Sequence, residues 1–154
     1  MPLNCIIGID PGLHKTGYGI IKDGDIIASG EIEPEAIDFK ERIVYVVNEL
    51  LEITKEMNIS VAGIETQFYL HFTRRSIMRL LQLKGALIYA FYAKGIKVIE
   101  LTPREIKKAI TGNGNASKAQ VQYMIYQIFK KKVNEDEADA IAVAISVMHR
   151  IKNV

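Results

Sequence analysis

The sequence predicts an α/β fold, a mixed five-stranded sheet flanked by helices. Apolar runs of strand length open the chain and return twice further on. An Asp23-Gly24 pair sits between two of them, where it suits a tight hairpin. Apolar stripes at helical spacing, most of them behind a capping signal, separate and follow the later strands. Three meandering strands followed by alternating helices and strands assemble most simply into one sheet with helices on its faces.

The elements follow in order. Asn4 to Asp10 is a buried strand, Gly17 to Lys22 comes after the Pro11-Gly12 turn, and Asp25 to Glu33 completes the meander. A helix starts near Asp38, with Glu41 placed to complete a capping box and Ile43, Val47, Leu50, Leu51 and Met57 as its stripe. Ser60 to Glu65 is the fourth strand. A long helix from Thr73 to Ala93 ends at Lys94-Gly95. Ile96 to Leu101 is the fifth strand, and Pro103 opens a short helix that stops near Gly112. Ser117 and Gln120 form a capping pair for a helix whose stripe is Val121, Met124, Ile125, Ile128 and Phe129. Asn134 and Glu137 repeat the pattern before a last helix striped by Ala138, Ile141, Ala142, Ile145 and Met148. No repeat, linker or low-complexity tract interrupts residues 1–154, so one domain is expected.

Composition narrows the class. A hydrophobic content of 49% supports a full core, and a net charge of +2 excludes a polybasic tail protein. The basic residues still cluster: Arg74, Arg75 and Arg79, then Lys107 and Lys108, then Lys130 to Lys132. Gathered on one face, such clusters suit a nucleic-acid partner. The single cysteine, Cys5, permits no intrachain disulfide and fits a reducing compartment. The most apolar stretch, Ile77 to Tyr92, is broken by Arg79, Gln82 and Lys84, which argues against a membrane span. A cytoplasmic protein without membrane contact is expected.

Four acids stand out. Asp10 and Glu65 each end an apolar strand, and Asp136 and Asp139 lie three residues apart at the start of an alanine-rich helix. Strand ends and one helix face can converge, and converged carboxylates repel one another unless a cation lies between them. Hard oxygen donors of this kind suit magnesium or manganese. Each acid also has a plain reading: Asp10 as a turn residue, Asp136 as a first-turn acid favoured by the helix dipole. The joint pattern carries the inference. His14, His71 and His149 lack ligand spacing, so no zinc site is expected.

The segments IGIDPG (7–12), TGYG (16–19), Ile64-Glu65-Thr66-Gln67-Phe68, TGNGNASKAQV (111–121) and DEADAIAVA (136–144) resemble, in order and spacing, the RuvC-type Holliday junction endonucleases. The resemblance implies a ribonuclease H-like fold with three antiparallel N-terminal strands and two further parallel ones. It also implies a homodimer that nicks four-way junction DNA symmetrically, in recombination and repair. By the same resemblance Asp10, Glu65, Asp136 and Asp139 are catalytic acids holding two magnesium ions, for which manganese substitutes. Lys107 and Lys118 would act near the scissile phosphate, and Phe68 would stack on unpaired bases. Tyr69, Arg74, Arg75, Arg79 and Lys108 complete the expected DNA contacts. A branch-migration motor complex is a further candidate partner that the sequence leaves open.

The chain departs from the family at Leu81, where a glycine is common, and in the loop after Phe68, which is one residue longer and lacks a usual asparagine. The long helix is also more apolar than one amphipathic stripe requires, which predicts a second packing surface against a two-fold partner. Competing readings are a related nuclease for structured RNA, an actin–hexokinase-type phosphotransferase and a non-catalytic junction binder. The phosphotransferase needs a second domain to close on its nucleotide. The binder gains nothing from acids that face phosphates.

Overall fold

The computed structural model describes residues 5–36, 38–66 and 71–152. Its strands are β1 (Cys5–Asp10), β2 (Thr16–Lys22), β3 (Asp25–Ile32), β4 (Val61–Glu65) and β5 (Lys97–Leu101). They form one sheet in the order β3-β2-β1-β4-β5. The first three are antiparallel, while β4 and β5 run parallel to β1. Asp23 and Gly24 both have positive φ (51° and 88°), the backbone that a two-residue hairpin needs to match strand twist.

Helices α1 (Phe39–Thr54) and α2 (Arg74–Ala93) cover one face of this sheet, and α5 (Glu135–Lys152) covers the other. The remaining helices, α3 (Pro103–Thr111) and α4 (Lys118–Phe129), pack against α5 rather than against the sheet. The first core gathers Ile7, Ile9, Ile20, Leu50, Leu83 and Phe91; the second gathers Ile6, Ile21, Ile106, Val121 and Ile141. Alternate residues of β1 thus feed opposite cores, as a two-sided strand must.

Most expected boundaries hold to within one residue, and three details differ. Asp38 has the extended backbone of an N-cap, but its side chain makes no capping hydrogen bond. The α1 stripe centres on Val46 and Leu50, with Val47 and Leu51 only half-buried. In α4 Ile128 is 50% exposed, while Val121 and Ile125 are buried and Met124 and Phe129 pack against the second core. By contrast, α5 is buried on every side from Ala140 to Val147, since the sheet lies beneath it and α3 and α4 lie above.

Candidate active site

Pairing registers place the site. Asp10 pairs with Gly17 and Gly17 with Glu31, while Ile9 pairs with Ile64 and Glu65 with Leu101. One row across the sheet therefore reads Glu31, Gly17, Asp10, Glu65, Leu101, and partners in a row share a face. That face is the one under α5. The next row on the same face is Gly19, Gly8, Gly63.

These glycines explain how helical acids reach strand acids. A Cβ on Gly8 would lie 2.0 Å from the carbonyl oxygen of Ala140, and one on Gly17 would lie 2.3 Å from that of Asp136. Any side chain there would lift α5 off the sheet. Without side chains, the first turns of α5 settle over the ends of β1 and β4. One carboxylate oxygen each from Asp10, Asp136 and Asp139 then lie within 4.8 Å of one another. Glu65 stands outside that triplet but close enough to raise the proton affinity of Asp10.

Two lysines enter from α3 and α4. Thr102 caps α3 through the amide of Glu105, whose side chain answers at the cap, and Arg150 of α5 grips Glu105 at 3.0 Å. This fixes α3 so that Lys107 lines the cavity. In α4, Ser117 and Gln120 form the expected reciprocal cap, and Lys118 is the first helical residue. Its ammonium lies 2.5 Å from Glu135 and 3.0 Å from Asp139. Asn134 accepts from the Glu137 amide at 2.8 Å, while the Glu137 carboxylate accepts from Ser29 at 2.6 Å and ties α5 to β3. The resulting cavity, of about 350 Å³, is lined by the four acids, both lysines and the apolar residues Pro103, Ile106, Val121 and Ala142.

Protonation follows from this crowding. Burial, reinforced by Glu65, Asp139 and Asp136, pushes the Asp10 carboxyl up from 3.8 to about 8. Burial likewise raises Glu65 and Asp139, with Lys118 opposing it in both. For Lys118, burial favours the neutral amine, but the hydrogen bonds to Glu135 and Asp139 outweigh it and raise its pKa. An all-oxygen donor set in which burial and neighbouring carboxylates raise the proton affinity of Asp10, Glu65 and Asp139 fits a hard divalent cation.

Of the other expected site residues, Arg74 and Arg75 are exposed at the start of α2, and Lys108 is exposed on the outside of α3. Arg79 stacks its guanidinium 5.4 Å above the Phe39 ring. None of the four lines the cavity. Phe68 and Tyr69 lie outside the described residues. Sequence reasoning passed over Glu135, which holds Lys118, and Glu31, which shares the row with Asp10. A glycine every second residue in β2 was the available signal for close helix approach, but which strands it aligned with depended on long-range pairing.

Sheet order, helix placement and a carboxylate cluster where strand ends meet α5 define a ribonuclease H-like fold with an acidic cleft. A family model for the crossover junction endodeoxyribonuclease RuvC matches residues 6–149, and the chain belongs to that family. It is 37% identical to the crossover junction endodeoxyribonuclease RuvC of Edwardsiella ictaluri, over 98% of this chain and 90% of the relative. It is 40% identical to that of Citrifermentans bemidjiense, over 94% and 92%. The Thermus thermophilus RuvC solved in complex with a Holliday junction substrate superposes with a TM-score of 0.89 at 23% identity, covering 97% of this chain and 96% of that one. The yeast mitochondrial Holliday junction resolvase gives 0.71 at 18%, covering 99% and 82%.

Proposed function

We propose that this protein is a metal-dependent, structure-selective endodeoxyribonuclease that resolves four-way DNA junctions by paired symmetrical nicks. The carrying observation is that three carboxylates, within 4.8 Å of one another, share one cavity with Glu65, Lys107 and Lys118 in a member of this family. Asp10, Glu65, Asp136 and Asp139 would hold two divalent ions, magnesium by preference and manganese as a substitute. Bound there, such a pair supplies an activated water and neutralises the leaving oxygen of an in-line displacement.

The chain's own groups do the rest. Lys118, steadied by Glu135, presents its ammonium beside the cluster, where charge on a pentacoordinate phosphate would develop. The N-terminal end of α4, where Lys118 is the first helical residue, adds the positive end of the helix dipole to that field. Lys107 faces the same space from α3. Arg74, Arg75 and Lys108, all exposed, would contact neighbouring phosphates, while Arg79 is committed to Phe39. Phe68 and Tyr69 follow Glu65 closely in the chain and are assigned to unpaired bases at the crossover.

Paired nicks need two clusters, and α2 offers a surface for a second copy. Met78, Leu81, Tyr89 and Tyr92 are exposed along one stripe of that helix, with Gly85 open between them. We assign this stripe to a two-fold homodimer. No helix among the described residues is long and apolar enough to cross a membrane. The assignment to the cytoplasm rests on the single cysteine, which permits no intrachain disulfide.

The test uses end-labelled four-way junction, matched linear duplex and structured RNA, each with magnesium or with EDTA. Magnesium-dependent nicks at symmetrical positions on the junction alone are expected. Cleavage of RNA alone, or junction binding without any cleavage, would overturn the assignment.

A further inference from the structure

The outer face of α4 has no counterpart in the site described above. Ala119, Tyr123 and Tyr126 form an exposed stripe among the described residues, and the tyrosines are 62% and 48% exposed. Two surface grooves, of about 500 and 480 Å³, flank the ridge made by Ala119 and Tyr123, which line both. The first reaches the loop after α3 beside Asn113; the second, lined by Tyr123 and Tyr126, ends against Lys131 and Lys132 and touches Ala138.

Two features say what covers it. First, the stripe is bounded by cations: Lys131 and Lys132 at one end and Lys118 next to Ala119 at the other. The one nearby acid that is exposed, Glu135, already has Lys118 as its partner at 2.5 Å. Second, the groove abuts the cavity. Ala119 follows Lys118 and Ala138 precedes Asp139, so adjacent residues line the groove and the cleft. A phosphodiester strand seated at the acids passes over this face within a few nucleotides, since successive phosphates of B-form DNA advance about 3.4 Å along the axis per strand.

Resting on the junction-nuclease reading, we propose that the Tyr123–Tyr126 groove with Lys131 and Lys132 holds the phosphate backbone of the duplex arm next to the cut. The tyrosine hydroxyls donate to phosphate oxygens, their rings pack on sugars, and the lysines neutralise two phosphates. Such contacts set the arm's direction and carry no base preference. The α2 stripe differs here in exposing the aliphatic Met78 and Leu81 beside its tyrosines, and it suits another protein surface.

Anisotropy titrations in EDTA, over a salt series, compare wild type with Lys131→Ala/Lys132→Ala and Tyr123→Ala/Tyr126→Ala. The probes are a fluorescent four-way junction and a linear duplex the length of one arm. The double lysine variant should bind about three- to tenfold more weakly, with a salt slope shallower by about two, near 0.9 per lost contact. The tyrosine variant should weaken on both probes at unchanged slope, equally for different arm sequences. Unchanged affinity and slope in both variants would overturn the proposal while leaving the nuclease reading intact. Variants that alter light-scattering mass instead would overturn it in favour of a contact between copies. Failure of the wild type itself to bind the junction would sink the parent reading and this one with it.

Discussion

On the face covered by α1 and α2, the sheet presents Ile7, Ile9, Ile20 and Ile64 to Leu83, Leu87 and Phe91. On the face covered by α5, its middle row is Gly19, Gly8 and Gly63, against the backbone of Ala140 and Ala144 and the side chains of Ile141, Val143 and Val147. The first face is ordinary core, where large side chains interlock and hold the helices at full packing distance. The second gives up apolar volume so that one helix can sit close. That closeness brings Asp136 and Asp139 to the ends of β1 and β4. One face of the sheet supplies stability, and the other sets the geometry of a site.

The contrast can be broken at several points. The largest effect should come from the acids themselves. Asp139→Asn should cut the proposed junction cleavage by about a thousandfold or more while leaving junction affinity within about threefold. Gel assays of nicking and binding on one preparation check this, and parallel loss of both would mean that the acid supports the fold instead.

Next come substitutions on the two faces. Leu87→Ala should cost about 2–5 kcal/mol in denaturant melts and leave cleavage per folded molecule unchanged. Gly8→Ala should cost about 3 kcal/mol, because its new methyl group meets backbone that cannot step aside. Gly63→Ala should cost about half as much, since its clashes are with the side chains of Val147 and Val143, and the Val143 backbone oxygen lies at ordinary contact distance, 3.7 Å. Equal costs for the two glycines would show that α5 shifts as freely as a side chain.

A smaller effect concerns pH in the metal-free protein. Folded Asp10 keeps its proton to about pH 8, whereas the unfolded chain releases it near 3.8. Unfolding between those values therefore releases a proton, and stability falls as pH rises through that window. Melting in EDTA from about pH 5 to about pH 8 should show this decline, and Asp10→Asn should flatten it. A melting temperature that climbed over this range would contradict the packing assigned to Asp10.

The smallest effect on the fold belongs to the α2 stripe. Leu81→Glu should shift light-scattering mass from dimer towards monomer at micromolar concentration with little change in melting of the monomer. An unchanged mass would place the partner surface elsewhere.

How much of this could be read from the chain depends on the range of the interactions. Strands, helices and caps were legible because hairpin turns, apolar periods and capping pairs act within a few residues; Ser117 with Gln120 is the plainest case. The four acids were legible as strand-end and helix-start residues, and the structure brings them into one cavity. The glycine row was not legible, since Gly8, Gly19 and Gly63 become neighbours only once three strands are paired in register. The Lys118–Glu135 pair was hidden for the same reason, as it joins the starts of two helices that only tertiary packing sets side by side. The stacking of Arg79 on Phe39 was not legible either, since it depends on α1 lying beside α2.

The most direct measurement is single-turnover cleavage of a four-way junction in magnesium by wild type, Gly17→Ala and Leu87→Ala. A methyl group at Gly17 would meet the Asp136 backbone at 2.3 Å, so that variant moves an acid without altering one. Paired nicks by wild type, undiminished in Leu87→Ala and at least about tenfold slower in folded Gly17→Ala, are the expected result. Full-rate cleavage by folded Gly17→Ala would contradict the claim that the glycine-lined face sets the active site.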